Sequence, residues 1–318
     1  MTRTAGYIFS VLALHAGNAA AEYPERPVRV IVGAAAGSAP DTNVRLLVAE
    51  LTNQLGRQFV VDNRSGAGGS MGKQLLARAT PDGYTIGYGN TASLAIARST
   101  IAKLPYDLDR DFQPVSLISH TEIMLAGALT LPVKTVPELI DHAKKNPGTL
   151  VYGSGTMSTT YYLAGQMFNQ LAGTQIKPVV FLGVQAIPAM TLGQVHITFN
   201  GIAALEQYVR SGRIRGIAVT SLKRSAAFPD LPAVAETLPG FEVTAWGGII
   251  VPAGVPRGIV ARLNGAIHKA LAAPAMLDKF KMIGVEPAAS TPAEFAAYIR
   301  NETAKWAGVV RAAGIKPD

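Results

Sequence analysis

The chain contains no cysteine among its 318 residues. That excludes a disulfide framework, thiolate metal sites, a cysteine nucleophile and a redox pair. Charge is sparse as well: charged residues make up 16% of the chain, against 48% hydrophobic residues. Such a balance excludes a disordered acidic or basic tail and leaves ample material for a packed core. After the first segment, no run reaches the ~18–20 apolar residues of a membrane-spanning helix. Histidine is scarce: His15, His120, His142, His196 and His268 stand alone, with no second histidine or glutamate at metal-ligand spacing. His196, in the run VHITF, reads as a packed histidine or a ligand hydrogen-bonder rather than a general base. A G-x-S-x-G nucleophile elbow would need glycine where Tyr152 stands, and no paired-carboxylate signature can be read. No catalytic residue, metal or cofactor is therefore assigned.

The net charge of +8 is carried by scattered residues. The longest cationic cluster, Lys144-Lys145, falls at a helix end, where it complements the helix dipole. Without a basic stripe interleaved with aromatics, nucleic acid is not an expected partner. The charge suits small anions, or reflects only a basic background. Residues 1–21 read as a secretory signal peptide. Arg3 supplies the positive start, Tyr7 to Leu14 a short apolar stretch, and Ala19-Ala20-Ala21 a small-residue cleavage site. The mature chain is thus expected to begin at Glu22 and to work outside the cytoplasm.

Beyond the leader, strand-like runs alternate with helical patterns. Val28 to Gly33 predicts a strand. Asp41 to Leu55 predicts a helix with Val44, Leu47, Val48, Leu51 and Leu55 on one face, ended by Gly56. A strand over 59–62, a helix over 71–79, the turn Thr80-Pro81-Asp82-Gly83 and a strand over 84–89 follow. After Asp111 the pattern repeats in kind. Helices are expected over 136–145, 159–171, 186–192, 203–211 and 292–312, and strands over 149–153, 179–182, 195–199 and 216–220. Thr291 and Glu294 form the capping box of the last helix. Strand–helix alternation twice over implies an α/β protein of two domains, each with a mostly parallel sheet flanked by helices.

Open α/β sheets bind ligands at the carboxyl ends of their strands. Four loops there are built from small or hydroxyl residues: 34–41, 63–72, 89–93 and 152–162. In the first, small side chains let a solute approach the backbone, and the next helix offers unpaired N–H donors. In the second, Asn63-Arg64-Ser65-Gly66-Ala67-Gly68-Gly69-Ser70-Met71-Gly72 misses the G-x-G-x-x-G spacing, so it reads as a tight turn lining a cleft rather than a nucleotide site. The third is Gly89-Asn90-Thr91-Ala92-Ser93. The fourth carries Ser154, Thr156, Ser158, Thr159, Thr160 and three tyrosines. Hydroxyl groups can ring a carboxylate, though each could equally be a helix cap. The Thr159 N–H is expected to face the solute.

Across the mature chain, the segments YPERPVRVIV, NRSGAGGSMG, PDGYTIGYGN, KLPYDLDRDFQPVSLI, GTLVYGSG, GQVHITF and WGGIIVPAGVP are collinear with one known pattern. The chain resembles the periplasmic solute-binding receptors of tripartite tricarboxylate transporters, the Bug or TctC family. The resemblance implies a two-lobed, type II-like periplasmic-binding-protein fold, each lobe a mixed, mostly parallel sheet flanked by helices, with two crossover segments near 119–125 and 243–247. Residues 22–122 plus 247–318 form lobe 1, and 123–246 form lobe 2. It also implies a monomer that captures a small organic carboxylate, a dicarboxylate or aromatic acid, between its lobes and presents it to membrane permease subunits. Carried over position by position, lobe 1 contributes Ala35, Gly37, Ser38, Asp41, Asn90, Thr91 and Ser93. Lobe 2 contributes Ser154, Thr156, Ser158, Thr159, Thr160 and Asn200.

Three positions depart from that pattern. Gly37-Ser38 replaces a glycine pair, Met157, Ser158, Tyr161 and Tyr162 replace a glycine-rich tract with histidine, and Asn200 replaces an aspartate. Loss of that anion favours a negatively charged guest. Met157 and the tyrosines could stack an aromatic acid or point into the core. A secreted enzyme acting on a carboxylic acid, and a ligand-sensing subunit of a signalling system, remain the alternatives.

Overall fold

A computed structural model of the chain describes residues 23–66, 69–181 and 185–317. Residues 1–21, read above as a signal peptide, lie outside the described residues. The elements run β1 (Val28–Val32), α1 (Ala39–Leu55), β2 (Phe59–Asn63), α2 (Ser70–Ala77) and β3 (Thr85–Asn90). A π-helical turn over Thr91–Ile96 leads into α3 (Ala97–Thr100), then β4 (Phe112–Thr121), β5 (Ile123–Gly127), α4 (Val136–Lys145), β6 (Val151–Ser154) and α5 (Thr160–Ala172). β7 (Lys177–Val180), α6 (Ala186–Thr191), β8 (Ile197–Gly201), α7 (Ile202–Arg210) and β9 (Arg215–Val219) follow. The chain ends with β10 (Ala245–Pro252), α8 (Arg257–Ala272), α9 (Pro274–Met282), β11 (Val285–Pro287) and α10 (Pro292–Ala312).

Two sheets result. One has the order β11-β4-β10-β3-β1-β2, the other β7-β6-β8-β5-β9. The chain passes from the first sheet to the second between Thr121 and Ile123, and is back in the first at Ala245. Both sheets are mixed, as expected, but parallel pairing does not predominate. It is confined to β2–β1–β3 and β7–β6–β8. β10 runs antiparallel to β3 and β4, β11 to β4, and β5 to β8 and β9. The reason is topological. Right-handed strand–helix–strand units force parallel neighbours, whereas β5 and β10 enter their sheets from the other one.

Local chemistry accounts for the elements. Val28, Val30, Ile31 and Val32 are buried on both faces of β1, as parallel strands covered on two sides require. α1 buries Val44, Leu47, Val48 and Leu51 and stops at Gly56 in the left-handed conformation. α4 and α10 have the limits their sequences predict. Thr135 caps α4 through the Glu138 N–H, and Thr291 with Glu294 closes the capping box of α10. β7 lies two residues earlier and β8 two later than their apolar runs suggest, because pairing with β6 sets the limits of β7 and pairing with β5 those of β8. In β10, Gly247 and Gly248 make room for rings: a Cβ on Gly247 would lie inside the Tyr88 ring, and one on Gly248 inside the Phe295 ring.

Trp246, on β10 just beyond the second sheet-to-sheet connection, is fastened from two sides. Its main-chain N–H donates to Thr91 Oγ1 at 2.9 Å. Its indole Nε1 donates to Glu302 Oε2 at 2.9 Å, and the same oxygen accepts Trp306 Nε1 at 3.0 Å. Both indoles and the Glu302 side chain are buried, and Lys305 pairs with the other carboxylate oxygen. A carboxylate removed from water is tolerated when donors occupy it in this way. Glu302→Leu leaves two buried N–H groups without acceptors. It is expected to cost about 2–4 kcal/mol in urea unfolding. A change below about 0.5 kcal/mol would mean that the indoles find other acceptors.

Candidate functional site

The loop after β1 is organised by Asp41. Its carboxylate, in the first turn of α1, accepts the Gly37 N–H at 2.8 Å, Arg45 Nε at 2.8 Å and Asn63 Nδ2 at 2.9 Å. Burial alone would raise the Asp41 carboxyl; the hydrogen bonds from Arg45, Gly37 and Asn63 outweigh it and hold the group below the usual carboxylate range. With its oxygens so occupied, Asp41 shapes the loop. Ser38 stands at the N-cap of α1 but donates Oγ–H to the Ala35 carbonyl at 2.6 Å and makes no cap bond, so no side chain covers the helix N–H groups. Ala35 and Gly37 are exposed.

At the end of β3, Asn90 and Ser93 bond each other. Asn90 Oδ1 accepts the Ser93 N–H at 3.0 Å, and Ser93 Oγ accepts the Asn90 N–H at 3.1 Å. Thr91 is buried and held by Trp246, so its hydroxyl anchors the turn. In the second sheet, Ser154 is buried at the end of β6 with Oγ 3.1 Å from the Gly155 carbonyl. Thr159 caps α5 through the Tyr162 N–H. Its own N–H donates to the Thr156 carbonyl at 2.9 Å, inside the turn, contrary to the expectation that it faces a solute. The Thr156–Thr159 turn uses that donor to bend the chain into α5. Thr156 is exposed, Ser158 half-buried and Thr160 buried. Asn200, buried on β8, accepts the Gly201 N–H at 2.8 Å.

The structure gathers these loops unevenly. Asn90 and Ser93 line a cavity of about 30 Å³ together with Gly33, Ala34, Pro40, Gly69, Lys73 and Tyr88. Ala35, Gly37, Asp41 and the residues of the second sheet do not line it. The two sheets nevertheless meet close by. α5 packs against the π-helical turn and against α10, and a Cβ on Gly201 would come 3.5 Å from the Tyr161 hydroxyl. Burial pushes the Tyr88 phenol up, with the neighbouring Tyr161 adding to the effect. Tyr161 and Tyr162 pack on the core shared by the two sheets, and Tyr152 donates its hydroxyl to the Tyr162 carbonyl at 3.0 Å.

In the loop read as a tight turn, Gly69 and Gly72 serve packing: a Cβ on Gly33 would come 2.8 Å from the Gly69 carbonyl, and one on Gly72 3.0 Å from Gly33 Cα. Sequence reasoning missed two contributors. Tyr88 lies inside a strand and offered no signal. Lys73 did: it stands three residues before the buried Leu76, on the inward face of α2, where a charge is out of place. His196 proves structural, with Nδ1 accepting the Val151 N–H at 3.1 Å.

Comparison with known proteins places this architecture. The family model described as "Tripartite tricarboxylate transporter family receptor", TctC, matches residues 44–315. The chain belongs to this family. Among TctC relatives, a protein from the tcbD-tcbE intergenic region of Pseudomonas sp. (strain P51) is 34% identical over 287 residues, covering 89% of this chain and 85% of that one. Among solved structures, R. palustris Rpa4515 with adipate has a TM-score of 0.83 at 32% identity, covering 93% of this chain and all of the other. MatC from Rhodopseudomonas palustris with bound malate has a TM-score of 0.77 at 29% identity, covering 91% of this chain and all of the other. Two mixed sheets flanked by helices are therefore the TctC receptor fold in this chain.

The Asp41 network makes a testable claim. Asp41→Ala is expected to lower the melting temperature by several degrees at neutral pH. A carboxylate with a lowered folded-state value contributes stability above ~4 that is lost as pH falls through the folded value. The gap between the two proteins should therefore narrow in acid. A gap of constant size in pH-dependent thermal melts would contradict the assignment.

Proposed function

We propose that this TctC receptor captures a small organic dicarboxylate between two lobes and presents it to membrane permease subunits, acting in the periplasm as a monomer. The lobes are residues 22–122 with 247–318, and residues 123–246. The observation that carries the reading is the packing of α5, which follows the hydroxyl-rich end of β6, against the π-helical turn that follows β3, in a chain 32% identical to Rpa4515, solved with adipate. The leader-like residues 1–21 support export.

The chemistry favours a carboxylate. Loops 34–41 and 154–160 present main-chain N–H groups at helix starts, which attract negative charge. The nearby acidic group, Asp41, is bonded to three donors and adds little repulsion. Ala35, Gly37 and Ser38 would line the solute from lobe 1 with Asn90 and Ser93. Ser154, Thr156, Ser158, Thr160 and Asn200 would do so from lobe 2, while Asp41, Thr91 and Thr159 hold their loops in shape. A dicarboxylate is preferred to an aromatic acid, because Tyr161 and Tyr162 are engaged with the core rather than offered as stacking faces. The role is binding and release without bond chemistry, as suits a receptor family.

A thermal-shift panel containing malate, adipate and their monoacid analogues tests this. A binder at 100 times its dissociation constant adds about 2.7 kcal/mol, enough to raise the midpoint by several degrees. At least one dicarboxylate should do so. Unchanged melting with every acid at millimolar concentration would overturn the proposal.

A further inference from the structure

Lys73 is 2% exposed, on the first turn of α2 and directed at the strand ends of the first sheet. Its ammonium donates to the Tyr88 carbonyl. Among the described residues it makes no other hydrogen bond and no ion pair, although an ammonium carries three donors. Lysine is among the residues least often buried unless paired. Here the missing partner has a place, since Lys73 lines the cavity of about 30 Å³ formed with Gly33, Ala34, Pro40, Gly69, Tyr88, Asn90 and Ser93. Among the described residues, no carboxylate side chain lines that cavity. Its size suits a water or a single carboxylate oxygen, and its other side-chain polar groups, on Asn90 and Ser93, are already bonded to each other.

We infer that Lys73 is the charged contact for the solute, its ammonium receiving one carboxylate oxygen of a dicarboxylate in this cavity beside Asn90 and Ser93. The inference deepens the proposed function and rests on it. It also explains how the other end of the molecule can be read: hydroxyls and N–H groups of lobe 2 would hold the second carboxylate by neutral donors, so one end is held by charge and the other by dipoles. A buried cation with no anion is costly in the empty protein and becomes favourable once a counter-charge arrives. That difference is what converts a lysine from a burden on stability into a source of affinity and of preference for anions.

Burial pushes the Lys73 ammonium down to about 8. Among the described residues, the titratable group that shares the cavity with Lys73 is Tyr88 on β3, and Tyr161 on α5 lies beside Tyr88. Burial raises both phenols. Lys73 is therefore the group whose titration binding should report. An anion raises its value, so the complex binds one proton more than the free protein above about 8, and affinity falls as pH rises through that range.

Calorimetry with adipate and malate, on the full mature chain and on Lys73→Met, provides the test. The acid that binds the wild-type protein should bind the variant at least tenfold more weakly at neutral pH. Wild-type affinity should decline towards pH ~9.5 while the variant's stays level. The variant should melt no lower than the wild type, because a lysine whose folded value lies below its unfolded value weakens the fold below about 8. Should the variant fail to fold, NMR titration of the lysine ε-methylene signals in the wild type replaces it: one shifted lysine should titrate higher with the acid than without. Equal affinity and equal pH profiles in both proteins, or a lysine titration unmoved by acid, would overturn the role of Lys73 and leave the receptor reading intact. No binding of either acid to the wild-type protein would overturn both.

Discussion

The Glu302 carboxylate, buried between two tryptophan indoles, is the interaction on which the rest of the structure hangs. It fastens α10 to β10 at the place where the chain returns from the second sheet. Trp246 in turn fixes Thr91 through its main-chain N–H, and Thr91 opens the turn that carries Asn90 and Ser93. A hydrogen-bonded series thus runs from the last helix to the candidate site. Packing reinforces it, with Trp246 set edge-on to Phe295 and Tyr298 at ring separations of 5.8 and 5.3 Å. Buried charge of this kind is weak evidence for stability in itself; its value is that only one arrangement satisfies every donor. For a receptor, the consequence is a site whose first-sheet side is held in advance of the solute.

That preorganisation has an electrostatic counterpart. Asp41, which in isolation would repel an anion, is bonded to three donors and serves as the organiser of its loop. The hydroxyls of Thr91 and Thr159 are similarly engaged. Around the strand ends stand main-chain N–H groups at helix starts, the hydroxyls of loop 154–160 and the ammonium of Lys73, all able to donate. Under the proposed function such a site discriminates by charge sign first and by spacing second, because its donors sit on strand ends and helix starts and the Lys73 side chain is packed in place.

Much of this was legible in the sequence, and what was not has physical reasons. Helices with their own start and stop chemistry, α4 with Thr135 and Pro137 and α10 with Thr291 and Glu294, could be delimited to the residue. β1 and α1 followed from apolar spacing and Gly56. β10 and the antiparallel half of each sheet were not foreseen, since strand direction across a sheet-to-sheet connection depends on partners far away in the sequence, such as Gly201 for Ile123 and Asn90 for Gly247. The amphipathic α8 also went unread, although Val260, Leu263 and Ile267 are buried at helical spacing. At the site, the family resemblance pointed to loops that the structure places at strand ends and helix starts. It could not tell which hydroxyls face inward: Thr159 spends its N–H in a turn, and Thr91 spends its oxygen on Trp246. Lys73 was overlooked because it was counted with scattered surface charge, when its spacing from Leu76 put it on the buried face.

The central claim is that strand ends of both sheets close on one solute. Backbone amide NMR of the mature chain with saturating adipate tests it most directly. The account predicts that resonances of Asn90 and Ser93 in the first sheet and of Thr160 and Tyr161 in the second move together, with a common apparent affinity. Movement confined to one sheet, or separate affinities for the two sets, would contradict it.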